Sequence, residues 1–596
     1  MRDRKTRIGM VERAKARGER RTCKFRSAFA APGETWYSIA VQECKEQSQE
    51  ANAPPAVISA LALVILTGGL VFFRLGHPVL LEPDEPRYVS AARNMLRGGD
   101  WLIPRFNGEP RLVKAPLFYW TIALSQAAFG DVEWAARLPS ALSAIGMVLL
   151  TWRLGGSIFG SRAGFLAGVV LGSSLMVVAL ARLAIPDMLQ GFLLTAALAL
   201  FWRAARGTGG AGCAVAFLLT LGAAAWVKNG FVGLVVLASC AVYSVWTKDA
   251  GPWRSMLSPW GVFSIAAFVA MSVSWPLYAV WHEAGAGEVW KSETVLRFTK
   301  GGSHPEPLWY YLGVLPGVFL PWTIYTPLTI VWRKASRRRA NRGAILLISL
   351  LGTGFVLLSA CRGKLPSYVL PLMVPLSILT GWGIEGAVWH EASGGRSRGA
   401  GGRWFTGALA THLALSVAVL VVGLIRWQWL LQASRAALVM LIPPAVVLQT
   451  AAVVLGAMAR RRAALAAVVA ALVAMYGAGL TASVAQLAQT RSSAALVPQI
   501  AANLTPQTRL MSYKYLPTAL VYYLDRSVEK YNDANELRLA MASADSFVLV
   551  LPVEHLETVQ QDTGLALKVI AKAGTGRKER VVALPAETGQ LRPGGP

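Results

Sequence analysis

The sequence predicts an all-α polytopic membrane protein with about 13 transmembrane helices and a small C-terminal α/β domain outside the bilayer. Of its 596 residues, 54% are hydrophobic and 15% are charged, and the mean hydropathy is +0.45. A soluble protein would carry about 25% charged residues. Several stretches of about 20 residues hold almost no charge, which is the length that crosses a hydrocarbon core. A soluble protein would need an implausible number of all-apolar buried helices to hold these stretches.

Apolar runs follow one another from residue 55 to residue 486, separated by polar loops of which two, 77–134 and 282–308, are long. Each is a candidate helix, because a helix satisfies its own backbone hydrogen bonds in lipid. The fourteen runs cover about residues 55–76, 116–130, 135–154, 162–182, 188–204, 212–227, 231–247, 258–281, 309–332, 343–361, 366–389, 405–425, 436–458 and 463–486.

Basic loops indicate which runs cross the membrane. The formal net charge is +27, and much of it lies in short loops between apolar runs. If run 116–130 lies at the interface, all the arginine-rich loops fall on the cytoplasmic side. We therefore predict thirteen spans, with the N-terminus inside and the C-terminus outside. The charge then reports topology and contact with anionic lipid rather than nucleic acid. The main clusters are Arg333, Lys334, Arg337, Arg338, Arg339 and Arg342; Arg396, Arg398 and Arg403; and Arg460, Arg461 and Arg462.

Composition divides the chain into three parts. Residues 1–50 are basic and lack the apolar core of a signal peptide, which predicts a disordered cytoplasmic tail. Residues 51–489 form the transmembrane domain, with a long first outer loop at 77–134. The composition of residues 490–596 predicts a periplasmic α/β domain that is large enough for its own core, with strands near 546–552 and 567–574. The five cysteines show no pairing or metal-binding spacing.

Two carboxylates stand at outer ends of predicted spans. Asp84 follows the first span and opens a helix-like segment at 86–97 that includes Arg87, and Asp187 lies where another span begins. Ionisable residues at membrane depth are costly, which makes them functional candidates. The alternative for Asp84 and Asp187 is that each caps a helix.

Basic and aromatic side chains occupy other outer span ends. They are Lys114, Lys228, Arg362, Lys364 and Tyr368. Lys114 could instead anchor its aromatic-rich segment at the interface, and Lys228 could snorkel or pair with a carboxylate. Cations beside carboxylates at the outer membrane surface suit recognition of a lipid-linked phosphate, with a carboxylate orienting or deprotonating an acceptor.

These residues lie in motifs that resemble the aminoarabinose transferases that modify lipid A. That family is part of a superfamily of polyprenyl-phosphate-sugar glycosyltransferases with GT-C architecture, which includes the protein O-mannosyltransferases. The resemblance covers about residues 55–390. The shared motifs are DE-x-RY (84–88), GDW-x-x-P-x-x-NG (99–108), K-x-PL-x-YW (114–120), ARLPS (136–140), AR-x-A-x-x-D (181–187), a VK-x-G-like turn at Lys228, E-x-x-x-RF (293–298), PLWYY (307–311) and KLP-x-Y (364–368).

The resemblance implies an inner-membrane glycosyltransferase whose active site faces the periplasm. The donor would be a sugar on undecaprenyl phosphate, and the acceptor lipid A or another envelope glycolipid or glycan. Asp84 would be the key catalytic carboxylate, and Asp187 a second one that positions Arg87 and Lys228. The donor phosphate would be bound by Arg87, Lys228, Arg362, Lys364 and Tyr368, while Lys114 would serve the donor or the acceptor site.

Two departures from the family bear on cofactors. Where the family reads E-K-P-P and E-H-x-x-RF, this chain has Val113 and Thr294 in place of the Glu and His that could hold a divalent metal. We therefore expect no metal and no other cofactor. The same departures leave the sugar and the acceptor open.

Other functions predict different patterns. A transporter or flippase of a lipid-linked sugar would favour broken helices, midplane polar groups and paired repeats. A protein O-mannosyltransferase-like enzyme would keep the donor chemistry and use a protein acceptor. A non-catalytic scaffold would not need the charged residues to converge.

Overall fold

The apolar runs form helices in the computed structural model, which describes residues 55–228, 231–254, 256, 258–301, 304–336, 341–389, 398–425, 432–574 and 579–586. Residues 60–596 form one compact unit, and the other unit is residues 1–59. The tail predicted at 1–50 lies outside the described residues.

Helices occupy most of the described chain up to residue 491. Those of nine or more residues in this part are α1 (Ala56–Phe72), α2 (Asp84–Leu96), α3 (Leu117–Phe129), α4 (Glu133–Phe159), α5 (Ser161–Gly172), α6 (Asp187–Ala205), α7 (Gly210–Val227), α8 (Phe231–Thr247), α9 (Pro259–His282), α10 (Tyr310–Val318), α11 (Pro327–Ser336), α12 (Arg342–Ala360), α13 (Leu370–Trp389), α14 (Arg398–Ile425), α15 (Gln432–Ala457) and α16 (Arg461–Arg491).

Helix length and composition agree with a multi-pass chain. Among the described residues, eight helices are long and apolar enough to cross a membrane, or nine if the pair Tyr310–Val318 and Trp322–Arg333, bent by 98°, is one span. Five shorter apolar helices accompany them, and α3 is one of these. With the bent pair counted as one span and α3 left out, the described apolar helices number thirteen, but four of these are shorter than the length that the eight or nine reach, so the number of crossings stays a prediction.

Helix α3 packs outside the main helical core. Its thirteen residues are about 20 Å long, which is short of a hydrocarbon core of about 30 Å. Phe118 and Tyr119 are fully buried with Tyr88 of α2 and with Tyr522 of the C-terminal region. This packing agrees with the prediction that run 116–130 does not cross.

Close helix packing in the core depends on small residues. A Cβ atom added at Gly164 of α5 would lie 2.4 Å from the backbone oxygen of Trp152 in α4. Only glycine therefore lets these two helices approach so closely, as is common between helices in membranes.

A buried ion pair joins the first loop, residues 77–134, to the helices. Arg137 of α4 donates from Nε and Nη2 to the Glu85 carboxylate at 2.8 and 2.9 Å, and both side chains are at most 2% exposed. Arg137 also donates to the carbonyls of Leu75 and Pro78, while Glu85 accepts from the backbone of Ala184. One charged pair therefore fixes the end of α1, the start of α2 and the approach to α6.

The C-terminal region is a mixed five-stranded sheet with helices. Its elements are β3 (Arg509–Tyr513), α17 (Thr518–Tyr523), β4 (Glu529–Tyr531), α18 (Ala534–Ala542), β5 (Phe547–Pro552), α19 (Leu556–Thr563), β6 (Leu567–Ala573) and β7 (Arg580–Pro585); strands β1 (Arg105–Phe106) and β2 (Glu109–Pro110) form a separate pair in the first loop. The five strands lie side by side in the order β4-β3-β5-β7-β6. Strand β3 pairs in parallel with β4 and β5, and β7 pairs antiparallel with β5 and β6. The strands predicted near 546–552 and 567–574 are confirmed.

Replacing Arg137 tests the buried pair. Arg137→Ala leaves the Glu85 carboxylate charged and buried without its guanidinium, which costs about 3–5 kcal/mol. Thermal unfolding in detergent should show a large loss of stability. The control is Arg97→Ala, whose ion pair with Asp525 is about half exposed and should be worth at most about 1 kcal/mol. Equal unfolding temperatures for the two variants would contradict this account.

Candidate functional site

Asp84 is the first residue of α2 and points its carboxylate to an open surface. Its side chain is 59% exposed, and Arg87 Nη1 lies 3.9 Å from Asp84 Oδ1. The residue at the N-cap is Pro83, and no described hydrogen bond joins the Asp84 carboxylate to a backbone N–H. The capping alternative is therefore not supported for Asp84, whose carboxylate is accessible to a ligand.

A second guanidinium lies near Arg87. Arg111 Nε donates to the hydroxyl of Tyr119 at 2.9 Å, and its guanidinium lies 4.8 Å from the ring centroid of Tyr88. Burial and the charge of Arg111 lower the pKa of Arg87. Arg87, the described partner of Asp84, is therefore repelled by a second cation that the sequence did not predict.

Asp187 and Lys228 form a buried pair. Lys228 Nζ donates to Asp187 Oδ1 at 3.0 Å, and the side chains are 6% and 11% exposed. Ser367 also donates to Asp187, and Lys228 Nζ lies 4.9 Å from the ring centroid of Tyr368. The carboxylate thus positions Lys228, and Lys228 pairs rather than snorkels. The described ion-pair partner of Arg87 is Asp84, and the expectation that Asp187 also positions Arg87 stays a prediction.

Lys114 belongs to a neighbouring set of charges. Its Nζ donates to Glu293 Oε2 at 3.3 Å, and Arg297 Nη1 donates to the same oxygen at 2.7 Å. The Arg297 guanidinium lies 5.8 Å from the ring centroid of Tyr368. Burial and the nearby Lys228 lower the pKa of Lys114 to about 8. Burial raises the pKa of Glu293, but Lys114 and Arg297 lower it by more.

We call Lys114, Lys228 and Arg297 the cation cluster, and Tyr368 lies against two of its members. Sequence reasoning named Lys114, Lys228 and Tyr368 but gave no role to Arg297 or Glu293. Their signal was present, because the E-x-x-x-RF motif places them four residues apart, the spacing of an ion pair on one helical face.

An apolar cavity of about 500 Å³ adjoins the cation cluster. Glu293, Arg297 and Tyr368 line it together with the apolar side chains of Phe231, Leu234 and Phe298. The Asp187–Lys228 pair lines a smaller recess that also includes Tyr368. Asp84 does not line either cavity, so the described pockets do not join the two carboxylates.

The backbone of residues 362–364 donates hydrogen bonds to the segment that carries Arg297. Lys364 is 2% exposed, and its Nζ donates to the carbonyl of Glu306 at 2.9 Å; the Arg362 side chain is exposed. The backbone N–H of Gly363 donates to the Arg297 carbonyl, and a Cβ atom at Gly363 would lie 2.8 Å from that oxygen. A direct contact of Arg362 or Lys364 with phosphate stays a prediction.

The residues at the family's metal positions do not suit a divalent cation. Val113 has an apolar side chain, and Thr294 donates its hydroxyl to the carbonyl of Trp290. The Glu293 carboxylate is engaged by two cations. Within the part of the chain that the structure describes, no three His, Cys, Asp or Glu side chains gather as metal ligands would. The expectation that the protein uses no metal stays a prediction.

Comparison with known sequences identifies relatives that match about half of the chain. The model of the dolichyl-phosphate-mannose-protein mannosyltransferase family matches residues 113–276. An undecaprenyl phosphate-alpha-4-amino-4-deoxy-L-arabinose arabinosyl transferase of Pseudomonas fluorescens is 32% identical over 340 residues, 54% of this chain and 59% of that protein. Its counterpart in Edwardsiella ictaluri is 30% identical over 311 residues, 50% and 55% of the two chains. The chain thus spans little more than half the length of the curated relatives it matches.

Solved structures share the architecture over nearly the whole chain. The structure of ArnT from Cupriavidus metallidurans bound to undecaprenyl phosphate has a TM-score of 0.71 at 23% identity and covers 90% of this chain and 99% of its own. The apo state gives a TM-score of 0.66. The chain is therefore a multi-pass membrane protein with the GT-C fold of these structures, and its resemblance to the aminoarabinose transferases is confirmed.

Proposed function

We propose that the protein is a membrane glycosyltransferase that moves a sugar from undecaprenyl phosphate to an acceptor at the outer face of the bilayer. The observation that carries the proposal is the convergence of Lys114, Lys228 and Arg297 beside an apolar cavity. Relatives named for transfer from undecaprenyl phosphate support the same donor.

The donor's two chemical parts match the two parts of this site. The cation cluster and the Tyr368 hydroxyl bind phosphate oxygens, because charge-assisted hydrogen bonds are the strong ones. The prenyl chain lies along apolar side chains such as Phe231 and Leu234 of the cavity wall. Asp187 holds Lys228 in place, and Glu293 holds Lys114 and Arg297, without occupying the phosphate position.

The reaction exchanges one bond at the sugar's anomeric carbon. The bond from this carbon to the phosphate oxygen breaks, and the electron pair leaves with undecaprenyl phosphate, whose growing charge the cations stabilise. A bond forms from the same carbon to an acceptor oxygen. For a hydroxyl acceptor, Asp84 takes the proton as general base. For an ionised phosphate acceptor no proton moves, and Asp84 orients Arg87.

We place the protein in the bacterial inner membrane with this site facing the periplasm. The arginine-rich loops support that orientation, because they fall on the cytoplasmic side when the first loop is outside. A transporter would need paired repeats, and the sequence has none. The acceptor is lipid A, another envelope glycolipid or glycan, or a protein. Mass spectrometry of envelope lipids, glycans and proteins from a deletion strain distinguishes these acceptors by which one lacks a sugar.

Asp84→Asn tests the proposed base. With a hydroxyl acceptor, the variant should transfer sugar at least about 100-fold more slowly, the usual contribution of general-base catalysis. Transfer is measured in proteoliposomes with an undecaprenyl-phosphate sugar, and membrane insertion should be unchanged. The matched control is Asp545→Asn, an exposed carboxylate of the C-terminal region. Wild-type turnover in the Asp84 variant would refute the role of Asp84.

The pKa of Lys114 predicts an alkaline limit to donor binding. A group with a pKa of about 8 loses its positive charge as the pH rises through that value. Undecaprenyl phosphate should therefore bind up to about tenfold more weakly at pH 9 than at pH 7.

Lys114→Arg supplies the control for this limit. Arginine stays charged across the range, so the variant should bind with the same affinity at pH 7 and at pH 9. Binding is measured by quenching of tryptophan fluorescence on titration with undecaprenyl phosphate. If the affinity of Lys114→Arg fell between pH 7 and pH 9 as much as that of the wild type, a group other than Lys114 would cause the pH dependence.

A further inference from the structure

Glu82 lies two residues before Asp84, and its carboxylate is bound by residues more than 400 positions later. Ser493 donates to it from the backbone N–H at 3.0 Å and from the hydroxyl at 2.8 Å. The backbone N–H of Ala519, in α17, donates at 2.7 Å. The described contacts of this carboxylate therefore come from the C-terminal region.

The backbone on both sides of Glu82 is bound by the same region. The hydroxyl of Tyr523 accepts from the Leu80 N–H at 2.9 Å, and the Ser492 hydroxyl donates to the Leu80 carbonyl at 3.1 Å. The Thr518 hydroxyl donates to the Pro83 carbonyl at 3.2 Å. Three residues of the segment that leads into α2, namely Leu80, Glu82 and Pro83, are thus hydrogen-bonded to the C-terminal region.

The other end of α2 is bound in the same way. Arg93 Nη1 donates to the carbonyl of Tyr522 at 2.8 Å, and Arg97 Nη1 lies 2.6 Å from Asp525 Oδ2. Helix α2 is therefore held at both ends by one short stretch, residues 518–525. The cation cluster lies on other elements, since Lys114, Lys228 and Arg297 all follow α2 in the chain. Their described hydrogen bonds go to Glu293 and Asp187 and not to residues 518–525.

We propose that Glu82 is a positioning residue through which the C-terminal region sets the place of Asp84 relative to the bound donor. The proposal rests on the proposed function, since it assigns Asp84 to the reaction. Its physical basis is geometric: a shift of about 1 Å in a reacting group can cost about 100-fold in rate. The carboxylate acts only through its hydrogen bonds and does not touch substrate.

Glu82→Gln tests the proposal in the full-length protein. The substitution keeps the side-chain shape and one oxygen acceptor, but it puts the amide NH2 group against the backbone N–H of Ser493, where the carboxylate accepted a hydrogen bond. Turnover at saturating donor should fall by about tenfold or more, while the dissociation constant for undecaprenyl phosphate stays within twofold of wild type. Amide hydrogen exchange in the first turn of α2 should become faster. Ser493→Ala, which removes one donor, should change both quantities in the same direction by less.

The control is Glu557→Gln, an exposed carboxylate of the C-terminal region, which should change none of these quantities. Turnover and exchange at wild-type values in Glu82→Gln would overturn the proposal. So would an equal loss of phosphate binding, which would indicate a general loss of structure. If the wild type itself shows no transfer, the proposed function fails, and the exchange rates in α2 still decide whether Glu82 fixes that helix.

Discussion

The arrangement of the first loop, residues 77–134, depends on the buried ion pair between Glu85 and Arg137. Two charges in a low-dielectric interior are tolerated only when they pair closely and their remaining hydrogen-bonding groups are satisfied. Here the guanidinium also binds the carbonyls at the end of α1, and the carboxylate also binds a backbone N–H before α6. The pair therefore leaves the first loop little freedom to move away from the helices. The exposed residues of that loop, including Asp84, are therefore held in place relative to the helices.

Three acidic residues within four positions have three different roles because they point in three directions. Glu85 points into the helical core, and Glu82 points to the C-terminal region. Asp84 points to solvent with Arg87 beside it. The side chains of Asp84 and Glu85, consecutive in the first helical turn, diverge by about 100°, and Glu82 precedes the helix. A short acidic run can therefore bind two parts of the chain and still leave one carboxylate for a ligand.

Sequence patterns predicted what depends on local periodicity and on charge counting. Hydropathy located the helices, the arginine-rich loops indicated that α3 stays out of the bilayer, and strand-like runs located β5 and β6. The pairing of Lys228 with a carboxylate was also foreseen, and the family resemblance implied Asp187 as the partner that the structure shows. The bonds from Glu82 to Ser493 and from Lys114 to Glu293 join residues 411 and 179 positions apart. No local pattern encodes such pairs, because they follow from how the helices and the C-terminal sheet pack.

In the proposed reaction, the charge balance of the cation cluster would favour departure of the leaving group. Lys114, Lys228 and Arg297 carry three positive charges, and Asp187 and Glu293 carry two negative ones, which leaves one positive charge. A sugar-linked phosphodiester carries one negative charge, and the phosphate monoester released from it carries up to two. The cluster is therefore matched to the donor in the ground state and attracts the leaving group more strongly as its charge grows. Interactions that strengthen toward the transition state are those that accelerate a reaction. Since Lys114 contributes the excess charge only below a pH of about 8, this preference weakens when that lysine loses its proton.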